Sequence, residues 1–298
     1  MKGRLVVIAT CAALCAVALA LPWALNALFD LFDLAFGWAG GFAVVTLISA
    51  GVGILFLLAF PHVSSQRGIK AVKDRIKHNL LAIRVFQDDL RTVAKATGSM
   101  FLWNFGYIAL NLLPMVVLAA PFMIVWFQLN ALYAYAPLKP GAEQVVVAEL
   151  SAGTAPHEVA VEFPEAVGEV QRVDIADPRS PRVLLRLRPE TAGDFDLTLV
   201  HGDETVTKTL AVGETEHRRL ARLRTSEPFA RFAAAEDPIV MFGEPVLPGD
   251  SFVRTVTVDY PPAPLGFLDG GEISVMIWFV VVSLAVGFGL KGAFGVEI

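Results

Sequence analysis

The sequence predicts an α-helical membrane protein with a cytoplasmic coiled coil and an inserted all-β, immunoglobulin-like sandwich domain. Three observations carry that expectation. Of 298 residues, 55% are hydrophobic and 18% charged, whereas soluble domains average roughly 25% charged; the mean hydropathy is +0.59. One basic and strongly periodic segment, residues 63–97, lies between apolar runs. Residues 139–272 replace long apolar runs with short alternating segments separated by Gly, Pro and Asp clusters.

Charge is segregated along the chain. The formal net charge of −5 hides a balance of +5 over residues 63–97, where eight basic side chains face three acidic ones. Residues 139–272 hold 13 basic and 23 acidic side chains, a balance of −10. Such asymmetry says more about topology than the overall charge does. Both cysteines, Cys11 and Cys15, fall in the first apolar run, so the polar region has no disulfide.

Residues 1–21 open with Lys2 and Arg4 and continue as an apolar run ending Ala18-Leu19-Ala20. They read equally as a signal peptide or as a slightly short signal anchor. The next part, 22–62, holds an amphipathic helix and a span. Asn26, Asp30 and Asp33 recur at i, i+4 and i+7 among Leu25, Leu28, Phe29, Phe32 and Phe36. This acidic stripe suits either a helix at the outer bilayer interface or one packed on other spans. Residues 40–60 then form an uncharged span in which Thr46 and Ser49 are the polar side chains, ended by Pro61-His62.

In residues 63–97, Ile69, Ile76, Ile83 and Leu90 recur every seven residues, with Val72, Phe86 and Val93 three residues after three of them and Asn79 in the remaining slot. This a/d pattern predicts a coiled-coil seam, formed by one helix or by a hairpin turning at His78-Asn79. Arg67, Lys70, Lys73, Arg75 and Lys77 are the basic contact candidates at its start. Residues 98–136 carry no charge: an interfacial lead-in near Gly98 to Trp103 is expected before one span kinked by Pro114 and Pro121. Asn104 and Asn111, seven residues apart, share a face of this stretch.

Residues 137–265 contain seven alternating segments, the clearest hairpin turning at His201-Gly202-Asp203-Glu204, and predict an extracytoplasmic sandwich. Residues 214–250 fit less well, with an Arg-rich piece from His217 to Arg224 whose arginines could meet lipid head groups or form a solvated, partly paired face. A last span occupies 272–290, followed by a cytoplasmic tail, 291–298. Placing every basic flank inside makes the topology close consistently. No nucleophile, metal or phosphate-binding signature occurs, so no enzyme activity, metal or cofactor is expected.

This order of parts resembles the YidC/Oxa membrane insertase superfamily, most closely its three-span, YidC-like type. The resemblance rests on an amphipathic outer helix, a span, a basic helical segment from Ile69 to Val93, a second span carrying Asn104 and Asn111, and a last span. It is one of topology and charge pattern, covering about residues 24–135 and 273–291. It departs from the family in lacking an arginine in any span and in the position of the β domain. What it implies is a non-enzymatic insertion or assembly factor of the bacterial inner membrane, with client membrane proteins or the ribosome as partners. Asn104, Asn111, Thr46 and Ser49 would then line a hydrophilic groove. The alternative is a membrane-anchored scaffold that joins a cytoplasmic partner, through the coiled coil, to an envelope protein partner, through the β domain.

Overall fold

A computed structural model describes residues 2–213, 219–233, 240 and 242–296. The chain opens with α1 (Lys2–Ala20) and, after Leu21, α2 (Pro22–Phe36), where Pro22 sits in the first helical turn and brings no N–H that would need a partner there. Next come α3 (Gly41–Val63), α4 (Gln66–Val85) and α5 (Leu90–Tyr133). The β region follows, with β1 (Gln144–Leu150), β2 (Ala160–Glu162), β3 (Val167–Ile175), β4 (Arg182–Pro189), β5 (Gly193–His201), β6 (Glu204–Val212), β7 (Leu223–Thr225), the short α6 (Pro228–Ala233) and β8 (Val253–Val258). The last element is α7 (Gly271–Leu290). Among the described residues, three helices, α3, α5 and α7, are long and apolar enough to cross a membrane.

These elements form two compact units. The first contains α1, α3 from Thr46, α4, α5 as far as Val125 and α7 from Trp278. Within it α3 and α7 lie side by side: Trp278 Nε1 donates to Thr46 Oγ1 at 2.8 Å, and Ser283 Oγ donates to the Ser49 carbonyl at 2.9 Å. Gly53 permits this approach, since a Cβ there would stand 2.5 Å from the Ser283 carbonyl oxygen. Phe60, Ile69 and Leu118 are buried together, with Val7, Cys11 and Leu110 against them.

The expected segment 63–97 is resolved into two helices, but not at the predicted place. Helix α4 runs unbroken through His78-Asn79, and the chain turns at residues 86–89 instead. Asn79 uses its amide to donate to Ser99 Oγ at 3.1 Å. The turn ends on Asp89, whose carboxylate accepts from the Arg91 and Thr92 amides and the Thr92 hydroxyl. The stretch from Gly98 to Trp103 is not a separate element: α5 is one 44-residue helix from Leu90, with Pro114 and Pro121 inside it. Helix α4 lies antiparallel to its first half: Arg75 stacks 4.1 Å from the Trp103 ring, Lys73 lies 5.9 Å from Tyr107, and a Cβ on Gly68 would come within 3.3 Å of Leu110.

The second unit contains α2, the start of α3, α5 from Trp126, and the β region. Its strands form two antiparallel sheets, one ordered β3-β4-β1-β8-β7 and the other β2-β5-β6. Alternate residues, among them Val146, Ala148 and Leu150 of β1 and Val183, Leu185 and Leu187 of β4, fill one core with Leu197, Leu199, Val206, Leu210, Val253 and Val256. All seven predicted alternating segments are strands, and β5 and β6 pair as far as His201↔Glu204. Residues 214–250 contribute β7 and α6; His217 and Arg218 lie outside the described residues. The chain enters and leaves this domain through a closed neck. The Ala134 carbonyl accepts from the amides of Ala263 (2.9 Å) and Gly271 (3.2 Å), and Ala136 donates to Pro261 at 2.8 Å. Gly270, at φ +93°, turns so tightly that a Cβ would overlap the Ala263 carbonyl.

Candidate functional site

The residues singled out from sequence fall at three places. Thr46 and Ser49 belong to the α3–α7 contact, where Thr46 accepts the Trp278 indole proton and Ser49 is fully buried. Asn104 and Asn111 lie on the half of α5 that pairs with α4. Each donates to the carbonyl four residues earlier, Asn104 to Met100 at 3.2 Å and Asn111 to Tyr107 at 2.8 Å. Back-bonding of this kind satisfies an amide within its own helix. Asn104 is exposed and Asn111 half-buried.

Of the heptad residues, Ile69 and Val72 are buried, Ile76, Ile83 and Val93 half-buried, and Phe86 and Leu90, at the turn, exposed. The basic residues Arg67, Lys70, Arg75 and Lys77 are exposed, and Lys73 is half-buried beside Tyr107. The hairpin thus joins a short apolar seam, its polar step Asn79–Ser99, and a cationic outer surface.

A second polar cluster, in the other unit, was not expected as a whole. Asn26, Asp30 and Asp33 do share one face of α2, and that face is paired. Arg219 Nε lies 2.8 Å from Asp30 Oδ1, off the N–H axis, so charge rather than a linear hydrogen bond holds them. The same guanidinium donates to Gln128 Oε1 at 2.7 Å and to the Asn26 carbonyl at 2.9 Å. Gln128, fully buried, donates to Asn26 Oδ1 at 2.8 Å, and Tyr133 donates its hydroxyl proton to Asp33 at 2.5 Å. Burial holds the Arg219 pKa below its ordinary value, and Asp30 partly restores it. The stripe and Gln128 are visible in the sequence. Their partner is not, because Arg219 sits in an Arg-rich stretch without period.

The other described arginines of that stretch are also engaged. Arg222 lies 3.0 Å from Asp259 and over the Tyr135 ring, and Arg224 donates to the carbonyls of Pro245 and Thr207. Beneath them Lys208, 1% exposed, donates to Glu244 Oε1 at 2.7 Å and to the Ala221 carbonyl at 2.8 Å. Desolvation pushes the Lys208 pKa down, against the pull of Glu244. Among the described residues no group of three His, Cys, Asp or Glu side chains converges as metal ligands do.

Together these features define a class: a chain with three helices able to span a bilayer, a basic helical hairpin and a separate antiparallel β domain. No known protein family, curated protein or solved structure matches it.

Proposed function

We propose that this chain is a non-enzymatic insertion or assembly factor for membrane proteins, of the YidC/Oxa type, in a bacterial inner membrane. In this reading the α4–α5 hairpin is a coiled coil in the cytoplasm, where positively charged flanks are retained, and the β region is an immunoglobulin-like domain on the opposite side. The bilayer is its first partner, and client membrane proteins or the ribosome meet the basic surface of α4. The observation that carries the reading is the hairpin itself, a cationic helix laid along a helix that leads directly into a span and presents Asn104 outward. An outward amide on an apolar face lowers the cost of drawing the polar flank of a client helix toward the bilayer.

Replacing Asn104 and Asn111 with leucine tests it. The double variant folds, because both amides bond only within their own helix, and it inserts a client helix into proteoliposomes less efficiently. Normal insertion by the variant removes the groove reading.

A second reading, a scaffold linking a cytoplasmic to an envelope partner, is favoured by one observation. Thr46 and Ser49 serve the α3–α7 contact. Crosslinking in membranes separates the two: many nascent chains mark an insertase, a few stoichiometric partners a scaffold.

A further inference from the structure

The outer face of the larger sheet is not what water alone would select. Where one side of an antiparallel sheet meets solvent, apolar side chains point in and polar ones point out. On β1 and β4 the inward residues fill the core, but the outward ones are polar only toward the ends of the strands. Between those ends stand Val145 and Val147 of β1 and Leu184 of β4, and Val173 and Ile175 of β3 continue the same face opposite Leu184 and Arg182. Val145, Val173 and Ile175 are 42%, 42% and 41% exposed. An apolar island open to solvent on a sheet face marks a contact surface.

Charge on this face is sorted by strand. The outward charges of β4 are all positive, Arg182, Arg186 and Arg188, while those beside them are negative, Glu149 of β1 and, one residue before that strand, Glu143. The register sets Arg182 beside Glu149, Leu184 beside Val147 and Arg186 beside Val145. The charges also meet within the chain: Arg182 Nε lies 3.4 Å from Glu149, Arg186 Nη1 lies 4.0 Å from Glu143, and Arg188 bonds Glu143 as well. The edge of the sheet, by contrast, is blunted. Strand β3 carries a bulge between Glu169 and Gln171, and its Arg172 reaches over to the Pro156 and Val159 carbonyls at 2.8 and 2.9 Å. Both devices discourage strand addition there and leave the face as the side for docking.

We propose that this face is the contact between two copies of the chain, related by a two-fold axis that runs along the strands between β4 and β1. Charge complementarity selects both occupant and axis. Rotation about that axis lays β4 of each copy on β1 of the other. Arg182 then faces Glu149 of the second copy, Leu184 faces Val147, and Arg188 faces Glu143. An axis across the strands would instead set Arg182 against Arg188, arginine on arginine. A partner of one net sign, or an anionic lipid surface, would oppose one of the two strands, whereas a second copy answers both. The rim charges are already paired within each chain, so covering them strands none. Facing sheets pack about 10 Å apart, which arginine side chains bridge. The contact is isologous, the commonest form of closed association, and is independent of any insertion role.

The test uses the full-length chain in detergent micelles, carrying a donor or an acceptor dye at the amino terminus. Energy transfer between copies should fall on dilution as dimers separate. Arg182→Glu places like charges across the contact and should weaken association about tenfold or more, as should Glu149→Arg. The two variants mixed should associate more tightly than either alone, because each reversed charge meets its opposite only across the two-fold. A chain monomeric at every concentration would overturn the proposal and leave the island to a different protein. Association untouched by either reversal would place the contact elsewhere and overturn it as well. Weakening by both reversals without recovery in the mixture would overturn it too, since the charges would then act within one chain alone.

Discussion

Arg219 lies 2.8 Å from Asp30 and also donates to Gln128 and to the Asn26 backbone. One guanidinium thereby joins α2, the last turns of α5 and the stretch leading into β7. The acidic stripe of α2 is consequently paired, Asp30 with Arg219, Asp33 with Tyr133 and Asn26 with Gln128. Because Asp30 is 39% exposed and Arg219 11%, solvent screens part of the attraction.

A double-mutant cycle measures that pair. Arg219→Met and Asp30→Leu are each expected to destabilise the chain in nanodiscs, and the double variant by less than the sum. The coupling should be about 1–2 kcal/mol. Additive losses in thermal unfolding would show that the two side chains act separately.

The α3–α7 contact depends on the missing side chain of Gly53. Gly53→Ala brings a Cβ to 2.5 Å from the Ser283 carbonyl and should cost about 1–3 kcal/mol as overpacking. Gly51, two residues away, has nothing within 4 Å of its Cβ position, so Gly51→Ala should be near neutral. Comparison of the two melting temperatures in the same lipid is the measurement, and equal values would contradict the close approach.

Lys208 and Glu244 form a buried pair. Removing one partner alone, as in Glu244→Leu, strands a charge and should cost about 3 kcal/mol, whereas Lys208→Met with Glu244→Leu should recover most of it. The pair also carries a pH signature. The Lys208 pKa lies below its ordinary 10.5 in the folded chain. Between the folded value and 10.5 the unfolded chain therefore holds a proton that the folded chain has released, and stability rises with pH. Below the folded value the cost of burying the charge is present in full. Denaturation across the alkaline range should show this upward slope, and the double variant should flatten it.

Much of the fold was legible because burial imposes a period. Each β strand predicted from alternation is present, since a one-residue slip would turn a whole set of Val and Leu side chains to water. The long spans were legible from their length. The hairpin turn was not, for a physical reason: the seven-residue ladder passes through it, with Ile83 and Phe86 before and Leu90 and Val93 after, so periodicity alone cannot mark the break. The signal that does mark it is Asp89 with Thr92, a helix-starting pair. Asn79, a candidate for the turn only because asparagine tolerates left-handed backbone, instead spends its amide across the seam. In the candidate site, the polarity of Asn104 and Asn111 was visible, but whether an amide bonds its own helix or another depends on rotamers that spacing does not encode.

The double acceptance at Ala134, by the amides of Ala263 and Gly271, makes the sandwich a cassette. Its two ends meet, so the path from the end of α5 to the start of α7 is closed at the neck, whatever length of chain the strands between Leu138 and Tyr260 occupy. The same geometry lets the cassette change size or sequence while the helices on either side keep their connection.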